Sequence, residues 1–534
     1  MEIQAPLRSK VQSVQLVSLI NSKIWKKYGN KPCNQKLVDD LKILETEGVD
    51  IEIPVKKNVK AGLQFIVGDN LGQHCLAEMN SVFSSGRICR WCKVTYNEAC
   101  RDSLIYAGCK DKFKPDEWTV EDYEKNADKA IEEGYGPETF GVKDHCVFNQ
   151  LESYHSILGM PPCIGHDFYE GTFSRDIQFY LSYIINKEKL ISPEEFNEKL
   201  KNVKLSSRDS GNRPREFKAK RNKYEGNAGS LRVLSRIVTM LLTDILDDSR
   251  VGSLIVKLHE VSDLVTAPRL TIHEIENILH FTIIEYLDLR ALAIDELGME
   301  TMKPKHHYMG HYSKLYKFHG PLIHLWAMRM ESKHQFFKNC IRTSKNFINP
   351  TKTCATRHQL AQVSFRYNGL FPKKLEIPPN AASVREIRAG MNDEYLERFL
   401  SNYGQDDLIP TSVKVFGTKY EPGMILILQK KSFGSLKVGL LNAIACSCEE
   451  TFFGCTVYEA LQSKHGYYVT TVKLNSLEII NQKNLADHHP LKRMGTSERF
   501  CFSLHHYVSE GIVTDQDEED IPGPGPRGEG VLLC

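Results

Sequence analysis

The chain lacks both a long hydrophobic run and an excess of charge of either sign. No apolar segment of membrane-spanning length occurs in its 534 residues, and the N-terminal stretch MEIQAPLRSK contains no signal-peptide core. These absences predict an intracellular protein with no membrane partner. The net charge of +2 comes from 69 basic and 67 acidic residues, which argues against electrostatic binding of nucleic acid along the whole chain.

The cysteines give no sign of a disulfide framework. There are 15 of them, an odd number, and they are scattered along the chain. The composition, 41% hydrophobic and 25% charged, is typical of a folded protein, and the length predicts several domains. Most of the thiols should therefore be buried packing residues, with the pair in Cys-Arg-Trp-Cys as an exception.

Hydrophobic periodicity predicts an α/β protein with segments of different character. Apolar residues recur at helical spacing in 231–248, 251–265 and 272–298, whereas short strands separated by Gly and Pro turns fill 411–510. The predicted segments, in chain order, are a first segment with the Asp69 strand and the CxxC pair (1–94), a mainly helical segment (95–300), a segment with the histidine group and Glu331 (301–375), a linker (376–410), a small β-rich domain (411–510) and a disordered tail (511–534).

The stretch LQFIVGDNLG places Asp69 directly after a short apolar run. Such a run followed by Gly predicts a buried strand, and an acid at the end of a strand often faces a ligand or metal crevice. The simpler alternative is that Asp69 and Asn70 cap the next helix, since both residue types favour that position. The local sequence leaves both interpretations open.

A CxxC pair and a histidine group provide candidate metal ligands far apart in the chain. Cys89 and Cys92 have the spacing that places two thiolates at adjacent corners of a tetrahedral zinc site. In KPKHHYMGHY, His307 and His311 are spaced i, i+4 and would share a helix face, while His306 and His311 would need a slightly opened turn.

Two further features leave alternatives open. Cys100 and Cys109 could complete an all-cysteine site with the CxxC pair. The basic segment 201–223 fits either a solvated loop or a phosphate-contacting one.

Acidic residues mark two more candidate positions. Glu331 lies in a largely apolar and basic stretch, where it could also pair with a neighbouring cation. In CIGHDFYEG, Asp167 and Glu170 at i, i+3 could bind a metal, with His166 as a base. The alternative is a polar helix start, because acidic residues favour the helix N-terminus.

Taken together, these motifs resemble a known family of recombination enzymes. The order of strand-end acid, CxxC, helical insertion, histidine pair and Glu is similar to that of the RNase-H-like DDE transposases of the CACTA/Mirage/Chapaev type, and to the Transib-derived catalytic subunit of the V(D)J recombinase. The resemblance spans roughly residues 10 to 370 and rests on these stretches: GDNLG, CRWCK, GHDFYEG, GNAGSLRVL and KPKHHYMGHY…GPLIHLWAMRMESKH.

The resemblance implies a fold and a set of roles. It implies an RNase-H-like core interrupted by a large all-α insertion, with Asp69 as the second catalytic acid and Glu331 as the third. It also implies a structural zinc ion on Cys89, Cys92, His311 and either His306 or His307. Such enzymes cleave DNA and transfer strands using two Mg²⁺ or Mn²⁺ ions held by carboxylates.

The same resemblance implies DNA as the partner, nuclear residence and a possible homo-oligomer. The residues before the Asp69 strand are mostly helical in pattern, so the first strands and the first catalytic acid of the family are expected to be missing. We therefore expect an N-terminally truncated core without competent catalysis. The alternatives are a domesticated nuclear protein that binds DNA or protein without catalysis, and a zinc-stabilised scaffold unrelated to transposition.

Overall fold

The computed structural model confirms a mixed α/β protein whose C-terminal region is rich in β-structure. It describes residues 12–52, 56–100, 115–136, 140–206, 208–218, 224–368, 373–389, 393–431, 434–495 and 499–509, and the backbone of 531–533. Cys109, most of the predicted tail and residues 207 and 219–223 of the basic segment lie outside this set. No described helix has the length and apolar character needed to span a bilayer.

The chain divides into two compact units, each built from separate stretches of sequence. The first unit comprises 1–172, 275–371 and 519–534, and the second comprises 173–274 and 372–518. This division cuts the predicted helical insertion 95–300 after residue 172 and again after residue 274. The apolar helices Ala228–Leu241 and Gly252–Val265 therefore belong to the same unit as the C-terminal strands, whereas His280–Leu297 belongs to the first unit.

The first unit is mainly helical. Its α-helices are Ser22–Tyr28, Asn30–Thr46, Asn70–Leu76, Tyr96–Cys100, Val120–Glu133, His280–Leu297, Pro304–Met309, Tyr312–His319, Met328–Ser344 and Pro350–Tyr367. Shorter 3-10 turns cover Val147–Gln150 and Leu322–His324, and π-helical segments cover Gly165–Phe173 and Ile275–Leu279.

The strand predicted before Asp69 is present as Leu63–Ile66. Leu63 and Ile66 are buried in the hydrophobic core of the first unit, and the strand pairs in parallel with Val531–Leu533. Loop residues satisfy part of its backbone: Leu63 N donates to Ser153 Oγ at 3.0 Å. A separate antiparallel pair joins Val49–Glu52 to Lys56–Val59. The Leu63–Ile66 strand is thus anchored in a packed core, and Asp69 follows it directly in the chain.

The helices of the second unit form where apolar residues recur at helical spacing. They are Ser174–Ser182, Pro193–Asn202, Ala228–Leu241, Gly252–Val265, Ile272–Glu274, Val384–Arg388 and Glu394–Leu400, with a π-helical Tyr183–Glu188 and 3-10 turns at Ser210–Asn212 and Gln482–Asn484.

An antiparallel sheet is the main β-structure of the second unit. Its strands run, in spatial order, Asp487–Lys492, Met424–Lys430, Ser435–Ser447, Glu450–Gln462, Tyr468–Asn481, Phe500–Phe502 and Met494–Gly495. Leu408–Ile409 joins this sheet through Ser435–Ser447 and also pairs with Ala382–Ser383; a smaller sheet contains Leu375–Glu376, Val413–Val415 and Thr418–Tyr420. Buried residues of the long strands form two apolar clusters.

The segment assigned to a linker, 376–410, contains two folded helices. Ser383 and Glu386 form a capping box that begins the helix Val384–Arg388. Val384, Phe399 and Leu400 are buried in one apolar cluster with residues of the long strands. The stretch MNDEYLERFLSNYG within this segment predicts a short helix, which is present as Glu394–Leu400, and the whole segment belongs to the second unit.

Candidate metal centre

The CxxC segment folds into a tight turn in which both thiols face inward. The turn is closed on either side, because Ile88 N donates to Val94 O at 3.2 Å and Tyr96 N donates to Gly86 O at 2.8 Å. Cys89 and Cys92 are fully buried. The Trp91 N–H lies 3.4 Å from Cys89 Sγ, an interaction that favours a thiolate.

The histidine pair comes from two short helices, and here the sequence prediction of one shared helix is wrong. The helix Pro304–Met309 ends at Gly310, and His311 is the N-cap of Tyr312–His319. His307 and His311 nevertheless remain neighbours, with their Nε2 atoms 3.2 Å apart. Gly310 and His311 both keep right-handed helical backbone angles, so the i, i+4 neighbourhood of the two rings is retained.

The structure brings Cys89, Cys92, His307 and His311 together as a group that could hold a metal ion. Their ligand atoms all lie within 4.8 Å of one another. Cys92 Sγ is 3.2 Å from His307 Nε2, and Cys89 Sγ is 3.6 Å from His311 Nε2. Tetrahedral zinc with ordinary bond lengths implies ligand separations of roughly 3.3–3.6 Å, so the donor set fits such an ion.

His306 lies outside this group. Its Nδ1 accepts a hydrogen bond from Lys303 N at 2.9 Å, which caps the start of the helix Pro304–Met309. Of the two histidines that the sequence offered as partners of His311, the structure therefore selects His307. The competing all-cysteine site has no support from Cys100, which packs with Ile88 and Ala99; burial raises the pKa of its thiol to about 12.

The protonation of the group follows from its close packing. Burial opposes ionisation of Cys89, but hydrogen bonds from Cys92, His307 and His311 outweigh it and hold the pKa of Cys89 well below its ordinary value. Burial, together with the neighbouring Cys89, raises the pKa of Cys92. Burial also lowers the pKa of His307, which favours the neutral imidazole that binds metals.

Arg90, inside the CxxC turn, connects this group to the Asp69 segment. Its guanidinium is fully buried, stacks on the ring of Trp91 at 3.9 Å, and donates from Nη1 to Asn70 Oδ1 at 2.5 Å. Asn70 in turn donates from Nδ2 to Asp167, whose other oxygen lies 3.8 Å from Arg90. The CxxC turn thus contacts Asn70, the residue next to Asp69.

Asp69 occupies the position that the simpler local interpretation predicts. It is the N-cap of the helix Asn70–Leu76, and its Oδ1 accepts from Gly72 N at 2.6 Å. Its side chain is exposed, while Asn70 is buried. A carboxylate that accepts one N–H can still bind a cation, so the cap and the metal-ligand interpretations are compatible.

Glu331 lies in the first turn of the helix Met328–Ser344 and pairs with a residue of the HDFYEG motif. His166 Nε2 is 2.7 Å from Glu331 Oε1. A hydrogen bond with Cys163, followed by the charges of Glu331 and Glu170, raises the pKa of His166 to about 9 against the opposing effect of burial. The raised pKa favours the imidazolium form of His166, which pairs with the Glu331 carboxylate.

Asp167, the neighbour of His166, is completely buried, and burial raises the pKa of its carboxyl group. The segment that carries it, Gly165–Phe173, is π-helical, a rare conformation that is frequent at functional sites. The sequence prediction of a polar helix start does not account for this burial. Asp167 instead accepts a hydrogen bond from Asn70, and the adjacent His166 pairs with Glu331, so the two residues connect Asn70 and Glu331 in one network.

Three residues of this network were not singled out as site residues by the sequence patterns: Arg90, Cys163 and Lys305. Arg90 occupies a variable position of CxxC, where nothing indicates burial. Cys163 Sγ accepts from Ala327 N at 3.2 Å, and Lys305 Nζ donates to His166 O at 2.7 Å. The only signal available for them was proximity to the motifs themselves.

No family model matches this chain, and no curated protein does either. Its function is therefore argued from the geometry of the site.

Proposed function

We propose that this chain is a transposon-derived, DDE transposase-like protein whose first unit derives from an RNase-H-like core. The observation that carries this proposal is the buried group Cys89, Cys92, His307 and His311. Cys89 follows Asp69 by 20 residues and Glu331 follows His311 by 20 residues, which is the order of the resembling family. Its ancestral activity is metal-dependent cleavage and strand transfer of DNA, in the nucleus.

The ion at the buried group is zinc in this proposal. Two thiolates with two imidazoles are a donor set that selects zinc, and four protein ligands leave no position for a substrate. Its role is structural: it fixes the CxxC turn to the helices on either side of Gly310 across more than 200 residues of sequence. Tyr308 strengthens the same contact by donating from its hydroxyl group to Ile88 O at 2.6 Å.

Asp69 and Glu331 are the proposed carboxylate ligands for Mg²⁺ or Mn²⁺. In the ancestral enzyme, two such ions would activate the attacking oxygen and stabilise the leaving oxygen of a phosphodiester. Asn70, which follows Asp69, donates to Asp167, and His166, which precedes Asp167, pairs with Glu331. This series of contacts links the segments that carry the two acids and supports the assignment. His166 orients Glu331, and the Asn70–Leu76 helix fixes the Asp69 backbone.

Manganese binding tests the acid assignment without requiring turnover. We expect the full chain to bind Mn²⁺, measured by electron paramagnetic resonance, and Asp69→Asn and Glu331→Gln each to weaken that binding more than about tenfold. Asp69→Asn is the matched variant, because Asn also caps helices and leaves the cap intact. Unchanged Mn²⁺ affinity in both variants would contradict the acid assignment.

A zinc-stabilised scaffold is the second candidate, and one observation favours it. Both acids already have structural partners: Asp69 caps a helix, and Glu331 pairs with His166. In that case Asp69→Ala lowers the free energy of unfolding by about 1 kcal/mol through loss of the cap, while Asp69→Asn changes neither stability nor Mn²⁺ affinity. Asp69→Asn thus separates the candidates, because loss of the cap in Asp69→Ala is expected under both.

A further inference from the structure

A second group of metal-ligand side chains lies in the second unit, apart from the centre described above. Asp487 and His489 belong to the strand Asp487–Lys492, and His506 follows the strand Phe500–Phe502. One ligand atom from each of the three lies within 4.8 Å of the others. Asp487 and His506 are buried, and His489 is partly buried.

The strand is irregular at this point, which brings two ligands together. Pairing with Met424–Lys430 shifts register between Asp487 and Leu491, as in a β-bulge. Asp487 Oδ1 accepts from His489 N at 3.0 Å and lies 2.8 Å from His489 Nδ1. The two side chains are therefore held side by side by their own backbone.

Two buried polar atoms of this group lack a hydrogen-bond partner among the described residues. They are Asp487 Oδ2 and His506 Nε2. A buried polar atom without a partner costs on the order of 1–3 kcal/mol, so such atoms usually indicate a bound water or ion. His506 Nε2 lies 3.5 Å from Asp487 Oδ1, beyond an ordinary N–H···O bond.

The tautomer of His506 suits a metal ligand. Its Nδ1 lies 3.0 Å from Tyr507 O, and because a carbonyl only accepts, Nδ1 carries the proton. The lone pair is then on Nε2, the atom that faces Asp487. A backbone carbonyl that fixes the far nitrogen in this way is the usual support of a histidine bound to a metal.

We propose that Asp487, His489 and His506 bind a divalent transition-metal ion. Two imidazoles and one carboxylate match zinc, cobalt, nickel or ferrous iron better than Mg²⁺ or Ca²⁺, which prefer oxygen ligands alone. Three protein ligands leave a coordination position open, as in catalytic rather than structural zinc sites. The proposal is independent of the transposase assignment, because it uses no residue of the first unit.

Nearby positive charge sets the strength of this site. The guanidinium of Arg208, on an exposed side chain, interacts electrostatically with the carboxylates of Asp209 and Asp487. The charge of Arg208 therefore acts on Asp487 and opposes a second cation there. The second group should bind its ion more weakly than the thiolate centre does.

Cobalt titration of the full chain distinguishes the two centres. With the thiolate centre first filled by one equivalent of Zn²⁺, we expect added Co²⁺ to bind with one further equivalent and to give visible absorption without a thiolate charge-transfer band. His506→Gln and Asp487→Asn should each weaken this Co²⁺ binding more than about tenfold. Cys92→Ser should leave the Asp/His site able to bind Co²⁺.

His488→Gln is the matched control, because His488 lies on the same strand between two ligands yet is outside the group. Its Nδ1 contacts Gln482 Nε2 at 3.2 Å instead. Far-UV circular dichroism of each variant establishes that it folds, and His506→Gln provides an independent ligand change if Asp487→Asn does not fold. The proposal is overturned if zinc-filled wild type binds no Co²⁺, or if folded His506→Gln binds it as tightly as His488→Gln does.

Discussion

The two groups of metal-ligand side chains differ in their donor atoms, in whether a coordination position stays open, and in whether a sequence motif predicts them. The first has two thiols and two imidazoles, all buried; the second has one carboxylate and two imidazoles, one of them partly exposed. Four soft donors favour a closed structural site, whereas three harder donors leave a position open. The comparison predicts that the first group stabilises its unit and that the second exchanges its ion more readily.

Removing a thiolate should have the largest effect. We expect Cys92→Ser to abolish metal binding at the first group and to lower the stability of the first unit by several kcal/mol, since structural zinc contributes on the order of 10 kcal/mol in small zinc domains. Urea unfolding followed by tryptophan fluorescence measures this unit selectively, because Trp25, Trp91, Trp118 and Trp326 all belong to it.

Cys100→Ser is the control for that experiment, since Cys100 is equally buried and lies near the CxxC turn without joining the group. It should retain metal and lose only about 1 kcal/mol of stability. Loss of metal in Cys100→Ser with retention in Cys92→Ser would contradict the assignment of the first group.

Breaking the buried ion pair beside the first group should have the next largest effect. We expect Arg90→Met to lower the free energy of unfolding by about 3–5 kcal/mol, because Asp167 and Asn70 lose their buried partner. Adding Asp167→Asn should restore part of the loss, which a double-mutant cycle in urea measures. Strict additivity of the two changes would show that the pair does not couple the turn to the HDFYEG segment.

Chelation should separate the two groups directly. We expect a moderate chelator to remove the ion from the Asp487 group while the cysteine group keeps its own, because thiolate ligands hold zinc more tightly and Arg208 opposes the second ion. Elemental analysis after dialysis at increasing chelator concentration gives the order of loss. The reverse order would contradict the comparison.

The partly exposed His145 and its acidic neighbours show what similar side chains contribute without a metal, and the effect of their loss should be the smallest. His145 lies 2.5 Å from Glu124 and 2.9 Å from Asp128. Burial lowers the pKa of His145, but the hydrogen bonds with these two acids outweigh it, so the pKa is raised. The stabilisation is therefore complete below about pH 6.5 and is lost as the pH rises through the raised value.

We expect His145→Gln to lower the free energy of unfolding by less than about 1 kcal/mol at pH 5.5, since solvent screens these partly exposed groups. The difference from wild type should shrink at pH 9. Urea unfolding at the two pH values checks it, and a larger difference at pH 9 would have the wrong sign.

The first group could be predicted from the sequence because each of its parts has a fixed local spacing. CxxC specifies adjacent ligands by itself, and His307 and His311 stay adjacent even though the helix is interrupted at Gly310. The choice between His306 and His307 was not predictable, since it depends on how the first helical turn is capped. The burial of Arg90 and Asp167 depends on contacts between distant segments, which no local pattern records.

The Asp487 group could not be predicted for a related reason. Asp487 and His489 alternate as in an ordinary strand, and His506 comes after two intervening short strands, so no known spacing joins them. A bulge and the packing of the sheet bring them together. The division into units could not be predicted either. Helical periodicity predicts the helix Gly252–Val265, but it does not predict that this helix shares a unit with the C-terminal strands.

Cobalt absorption of the full chain, expressed with and without three substitutions, tests the central assignment most directly. We expect a thiolate-to-cobalt band that saturates at one equivalent in wild type and in His306→Gln. The band should be lost in Cys92→Ser and altered in His307→Gln. A band that persists in Cys92→Ser, or that depends on His306 and not on His307, would contradict it.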